Sequence, residues 1–241
     1  MNCQCRAIVL SCIKYTDNSI IATLFTESTG KKSFIVKNVY SKKSTYKINY
    51  FQPGSILTIN FTLKENKNLH LLNNINVIDS TLYIGMSDRQ YLAFFLTEFV
   101  NRLLIDNYEN KELYYLMEEA FQRIIKDETF HIKEINHLLI QSLEYLGISP
   151  INNFDERDFQ YLSIPDAEFT SHFRTDKQIL SADISFIWSK YLTYPMDTNE
   201  LNLSYDTLKL LRTIIEYYKV HTGQSFALKS FSALEDLNLN A

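Results

Sequence analysis

Six lysines stand among the seventeen residues from Lys31 to Lys47, which read K-K-S-F-I-V-K-N-V-Y-S-K-K-S-T-Y-K, and no acid stands with them. Between them lie Phe34, Ile35, Val36, Val39, Tyr40 and Tyr46. Ammonium groups at this density neutralise the phosphates of a polyanion, and rings beside them stack on bases, which is what a single-strand groove requires. A solvated lysine loop would show the same charge. The run sits in a wider gradient. The first eighty residues hold ten lysines and arginines against four acids, a net +6, whereas the remaining 161 hold fourteen against twenty-four, a net −10. Polarity of this kind between the halves of a chain points to a nucleic acid met by the basic half.

Other chemistry is hard to assemble from these residues. The chain has no G-x-x-x-x-G-K-[ST], G-x-G-x-x-G, G-x-S-x-G or H-E-x-x-H pattern, so the usual phosphate-cradle, hydrolase and zinc-protease routes lack their residues. Cys3, Cys5 and Cys12 are odd in number and bunched near one end, which suits reduced thiols in a strand better than a disulfide framework. A structural zinc would want a fourth ligand and paired spacing. His70, His131, His137, His172 and His221 are scattered, and Glu118 with Glu119 reads as the solvated face of a helix. No enzyme activity, metal or cofactor is expected. No apolar run is long enough for a membrane span and no signal-peptide pattern opens the chain, so a cytoplasmic place is expected.

The elements that must position the lysines follow from periodicity. Strands are expected over Arg6–Lys14, Ser19–Thr26, Lys31–Tyr40, Leu57–Leu63 and Leu69–Val77. The fourth is the clearest, because Leu57, Ile59, Phe61 and Leu63 alternate with Thr58, Asn60 and Thr62. Five short strands with a long connection after the third suit a closed barrel of the OB type. That connection, from Ser41 to Gly54, carries Lys42, Lys43 and Lys47 with Tyr46, Tyr50 and Phe51. Tyr50 and Phe51 either stack on bases or plug the barrel end, and the plug is the favoured reading. From residue 81 onward the pattern is helical. Ser87 with Gln90 suggests a capping box ahead of Leu92, Phe95, Leu96, Phe99 and Leu103. A second helix is expected from about Asn110, a third from Ile132 to a stop at Gly147, a fourth over Leu180–Leu192, a fifth capped by Ser204 and ended by Gly223, and a short last one after Ser230. The expected architecture is α+β and multidomain, with an OB-fold barrel over residues 1–80 and an all-α helical domain over 81–241, interrupted by an irregular acidic insertion at about 152–178.

Several segments, in order, resemble the RecO family of bacterial recombination mediators. They are Ala7-Ile8-Val9-Leu10, then Tyr15, Asp17 and Leu24-Phe25-Thr26, then Gly30 opening a basic strand, Lys37-Asn38, Lys42-Lys43-Ser44 and Phe51-Gln52-Pro53-Gly54. Further on come Leu143-Glu144-Tyr145-Leu146-Gly147 with Pro150, and Leu211-Arg212 through His221-Thr222-Gly223 to Leu228-Lys229-Ser230. The resemblance implies a protein of recombinational repair that binds single- and double-stranded DNA and anneals complementary strands. It also implies partners: RecR, the acidic C-terminal tail of single-strand binding protein and, indirectly, RecA, with a place at the nucleoid. Carried over by position, the family's basic barrel face corresponds to Lys31, Lys32, Lys37, Lys42 and Lys43. Arg6, Lys14 and Lys47 join the expected DNA-binding set from local charge alone. Many members carry a four-cysteine zinc module where this chain has Asn152 to Gln178 without a cysteine. Here the segment is expected to rest on Phe154, Phe159, Tyr161, Leu162, Ile164 and Phe169. Arg102 and Arg123 are spare cations on the first helices, read as solvated charge. A second class of function, an adaptor whose barrel holds an acidic protein in place of DNA, fits the same lysines.

Overall fold

Two-residue alternation of apolar and polar side chains folds the basic third of the chain into five strands. The computed structural model describes residues 2–41, 46–63, 67–85, 87–174, 178–193 and 206–237. The strands are β1 (Asn2–Thr16), β2 (Ser19–Thr26), β3 (Gly30–Lys37), β4 (Ile56–Thr62) and β5 (Leu69–Asp79). They close into an OB barrel in the order β1-β2-β3-β5-β4, with β4 returning to β1. All pairings are antiparallel except β3 with β5, which run parallel through Ser33–Leu69, Phe34–His70 and Ile35–Leu71. β1 is longer than expected at both ends. Its first half pairs with β4 and its second with β2, and a register shift between Val9 and Ser11 lets one strand turn that corner. β3 stops at Lys37, short of Tyr40, because Asn38 takes a left-handed φ of 64° that leaves the strand.

Inward positions fill the lumen with Ala7, Val9, Ala22, Leu24, Phe34, Val36, Leu57, Ile59 and Phe61, all at most 1% exposed. Phe34 and Phe61 meet edge to face at 5.0 Å. Phe51, on a short 3-10 turn over Ile48–Phe51, joins this core as a plug. The three cysteines form no disulfide; Cys5 is buried, and Cys3 and Cys12 pack at the margin of the core. Burial pushes the Cys5 and Cys12 thiols up, away from reactive thiolate.

Helices follow: α1 (Asp88–Leu103), α2 (Lys111–Lys126), α3 (Ile132–Tyr145), α4 (Ala182–Thr193), α5 (Thr207–Thr222) and α6 (Lys229–Asp236). Ser87 is the N-cap of α1, but its hydroxyl donates to the Ile84 carbonyl, so the expected capping box does not form. Asn110 caps α2 by accepting from the Leu113 amide. Ser204 lies outside the described residues, and Asp206 caps α5 by accepting from the Lys209 amide. Arg123 pairs with Asp127 at 3.8 Å and lies over the Phe130 ring, a local anchor rather than a free cation.

Pattern changes from strand to helix after Asp79, while the chain divides into compact units elsewhere. One comprises Met1–Phe130 with Leu228–Asp236, the other His131–Ala227 with Leu237–Ala241. The barrel, α1, α2 and α6 therefore form one body. There α6 docks on α1 through Glu98, which accepts from the Ser230 hydroxyl and from the Lys229 and Ser230 amides. In the other unit α3, α4 and α5 surround Trp188, Tyr217 and Tyr218, all 0% exposed. The irregular segment of this unit carries a two-stranded hairpin, β6 (Tyr161–Ser163) with β7 (Glu168–Thr170). Phe154 sits edge-on to both Phe169 and Phe186, and Leu162, Ile164 and Phe169 are buried; Phe159, expected in this core, is exposed. Among the described residues no helix is long and apolar enough to cross a membrane, and no cluster of His, Cys, Asp or Glu could hold a metal ion.

Candidate nucleic-acid interface

The barrel's outer surface divides by which helices lie on it. Around the start of β3 the outward positions Ile8, Phe25 and Ile56 form one cross-strand row and are fully buried. Phe25 meets Tyr114 of α2 edge to face at 5.3 Å. Arg6, two residues before Ile8 on the same outward face, is drawn into this contact. Its Nε lies 2.9 Å from Oε1 of Glu118, whose side chain is only 6% exposed. Glu118 also accepts from the Tyr114 hydroxyl at 3.0 Å. It is no solvated helix face: burial pushes its carboxyl up, and the Tyr114 hydroxyl and Arg6 pull it back down.

Lys31 and Lys32 are held nearby. The Lys31 ammonium lies 3.3 Å from Asp106 and donates to the Asn101 carbonyl at 3.1 Å, and its side chain is only 15% exposed. Lys32 donates to Asn107 Oδ1 at 2.5 Å. The chain can come this close because residue 30 is glycine. Gly30 has a φ of 69°, and a Cβ there would run into the Tyr108 backbone. Arg6, Lys31 and Lys32 are therefore tied to the first unit's own helical side.

The opposite end of β3 is different. Lys37 closes the strand beside Ser19 and is exposed, as is Lys47 in the connection; neither meets a carboxylate among the described residues. Among the described residues Lys14, at the far end of β1, pairs only with fully exposed Asp17 at 3.5 Å, a contact that water and salt loosen. Lys42 and Lys43 lie outside the described residues. Between the two ends runs a feature that charge-reading missed: the outward row Ile13, Ile21, Ile35 and Leu71 crosses four strands, with Ile13 60% and Leu71 42% exposed. Strand alternation could have found Ile21 and Ile35, which are opposite in parity to Ala22 and Phe34, whereas Ile13 and Leu71 turn outward only through the register shifts in β1 and between β4 and β5.

Past Leu71, β5 carries Asn73, Asn74 and Asn76 outward, and here the connection from β3 folds back. Tyr46 donates through its hydroxyl to Asn74 Oδ1 at 2.9 Å and to the Asn73 carbonyl at 3.2 Å. Tyr46, Lys47, Asn49, Tyr50, Asn74, Ile75, Asn76, Val77, Ser80 and Leu82 enclose a cleft of about 470 Å³. Tyr50 thus both packs on the barrel core and faces solvent.

Known proteins are similar to the chain along nearly its whole length. The family described as "Recombination protein O N terminal" matches residues 1–81, which are the barrel. The DNA repair protein RecO of Flavobacterium johnsoniae is 27% identical over 244 residues, covering 98% of this chain and 99% of its own. That of Flavobacterium psychrophilum is 25% identical over the same length and coverage, and that of Bacteroides fragilis is 29% identical over 245 residues, 95% of this chain and 96% of its own. The similarity to these DNA repair proteins runs along nearly the full length of the chain, and the family model covers its barrel.

Proposed function

We propose that the chain is a DNA-binding recombination mediator whose barrel holds a sugar-phosphate strand at the Lys14, Lys37 and Lys47 end, with Lys42 and Lys43 of the same connection adding to it. Its action is binding and annealing, without bond cleavage. Lysines displace counterions from two strands and lower their mutual repulsion, so complementary bases meet. The family resemblance supports RecR, the acidic tail of single-strand binding protein and, through them, RecA as partners, in the cytoplasm at the nucleoid. The observation that carries the reading is the contrast in pairing: among the described residues Lys37 and Lys47 are exposed without a counter-charge, Lys47 beside a cleft containing tyrosine rings, while Arg6 and Lys31 already have acidic partners. The exposed aliphatic row offers sugars and bases an apolar floor.

Fluorescence anisotropy with a labelled single strand at several salt concentrations tests this. With about four phosphates neutralised, log K should fall against log salt with a slope near −3, from ~0.7 per contact. Changing Lys14, Lys37 and Lys47 together to Glu should abolish binding and leave the helical circular dichroism intact. A salt-independent affinity, or undiminished binding by the triple variant, would put the site elsewhere. If wild type ignores DNA yet retains an acidic protein on these lysines, the barrel is an adaptor.

A further inference from the structure

The cleft beside Lys47 has a composition that phosphate binding does not explain. Its lining includes one charge, Lys47, three amides, Asn49, Asn74 and Asn76, and two tyrosines, above an apolar floor of Ile75, Val77 and Leu82. The amides continue outward along the sheet. Gln4, Asn60 and Asn74 are directly paired across β1, β4 and β5, and Thr58 pairs with Asn76 in the next row. A second cleft of about 390 Å³, lined by Asn2, Gln4, Asn60, Asn73 and Asn74 among others, shares this face. Asparagine is depleted in strands because its short amide competes for backbone hydrogen bonds, so three in β5 run against strand propensity. The β4–β5 register also shifts between Asn60 and Phe61, an irregularity of the sort that re-aims side chains beside a site.

We infer that this cleft is a nucleobase subsite: it takes one unpaired base of the strand whose phosphates run over the lysines. This rests on the DNA-binding reading above and adds to it what the strand offers besides charge. Amides present a donor and an acceptor in one plane, which matches the hydrogen-bonding edge of a base, whereas phosphate would need donors alone. Asn74 is preset for this. Its Oδ1 accepts from the Tyr46 hydroxyl and from the Ile75 amide at 3.0 Å, which fixes the orientation of the side chain and leaves Nδ2 as the donor to offer. Tyr46 and Tyr50 pack partly on the barrel core, so their rings are held in place before a base arrives. The volume lies within the roughly 300–1,000 Å³ of small-molecule clefts, and unpaired bases are commonly read by ring stacking together with hydrogen bonds to their edges. The parallel register sets Ile35 beside Leu71, and Lys37 and Asn73 each follow two residues later in their chain segments.

The test compares two single strands of equal length and charge, one of mixed sequence and one built entirely of abasic tetrahydrofuran units, by anisotropy with the full-length chain at one salt concentration. Wild type should bind the base-bearing strand on the order of tenfold more tightly, the scale of one stacked and hydrogen-bonded base. The Asn49→Ala, Asn76→Ala double variant should lose most of that preference, keep its affinity for the abasic strand, and melt with wild type. Equal binding of both strands by wild type would overturn the subsite and leave the lysine track standing. A preference that survives the double variant would place base reading elsewhere on the barrel, and an equal loss for both strands would show that the amides hold the backbone. Failure to bind either strand would overturn the DNA reading and the subsite together.

Discussion

The two ends of β3 carry the same residue type and meet opposite fates. At the Gly30 end, Lys31 and Lys32 are taken up by Asp106, Asn101 and Asn107, and neighbouring Arg6 by Glu118. At the other end Lys37, with Lys47 beyond it, faces solvent without a carboxylate partner among the described residues. Arg6, set against a carboxylate only 6% exposed, is a structural part, since moving it onto a phosphate would strand that buried acid. A hydrated ammonium whose only neighbours are salt and water has counterions to release. The density of lysine along a chain therefore overstates the surface it offers, and the covered end shows by how much.

The sharpest way to break this contrast is to loosen the covered end. Gly30→Ala puts a Cβ into the Tyr108 backbone and asks alanine to hold a φ of 69°, so unfolding by urea should show a loss of about 3 kcal/mol or more. A loss under about 1 kcal/mol would mean that the Tyr108 segment yields, and that Lys31 and Lys32 are held less tightly than their distances imply. Arg6→Ala ranks next. It leaves Glu118 with the Tyr114 hydroxyl alone; because Arg6 is 37% exposed and water can enter, the expected cost is about 2 kcal/mol, below the 3–5 of a fully buried pair. DNA affinity should stay within about twofold. A large drop in affinity with an unchanged melt would move Arg6 into the interface.

Much of the barrel was legible because alternation is local. Leu57, Ile59 and Phe61 announce β4 and its inward face without reference to any other strand, and Gly147 and Gly223 mark helix ends by left-handed φ values of 69° and 66°. The first four residues of β1 were not legible, since Asn2 and Gln4 are outward amides and Cys3 and Cys5 are weak strand formers. The site was legible only as a list of cations. Which of them are occupied depends on contacts far along the chain, such as Lys31 with Asn101, 70 residues away, and Lys32 with Asn107, 75 away. Glu118 shows the same limit: beside Glu119 it reads as a charged surface, and only α2 packing on Phe25 and Arg6 turns it inward. One signal was there to use. Arg6 and Ile8 share a face, and a strand with apolar residues on both faces must be covered on both.

Single lysines sharpen the contrast with smaller effects. Lys37→Ala should flatten the plot of log K against log salt by about 0.7, one phosphate contact, and weaken binding a few-fold. Lys31→Ala should leave that slope alone and lower stability by about 1 kcal/mol or less. Equal slopes for wild type and both variants would deny that either end of β3 touches phosphate, whereas a flatter plot for Lys31→Ala would reopen the covered end.

The smallest effect is a pH dependence confined to the covered end. Burial, the largest cause, raises the Glu118 carboxyl above its ordinary value of 4.5, and the Tyr114 hydroxyl and Arg6 only partly oppose it. Between 4.5 and the raised folded value the native protein keeps a proton that the unfolded chain has released. The associated stability is thus fully present below 4.5 and lost as pH rises through the folded value. Glu118→Gln keeps an acceptor for Tyr114 but cannot titrate. Urea midpoints of wild type and variant, followed from about pH 4 to pH 7, should therefore diverge, with wild type losing ground as pH rises. Replacing the lysines of the open end, which lie away from Glu118, should leave the difference between the two curves untouched. A difference that runs the other way would mean that Arg6 holds Glu118 ionised, making the pair a net stabiliser and the covered end harder still to open than its burial suggests.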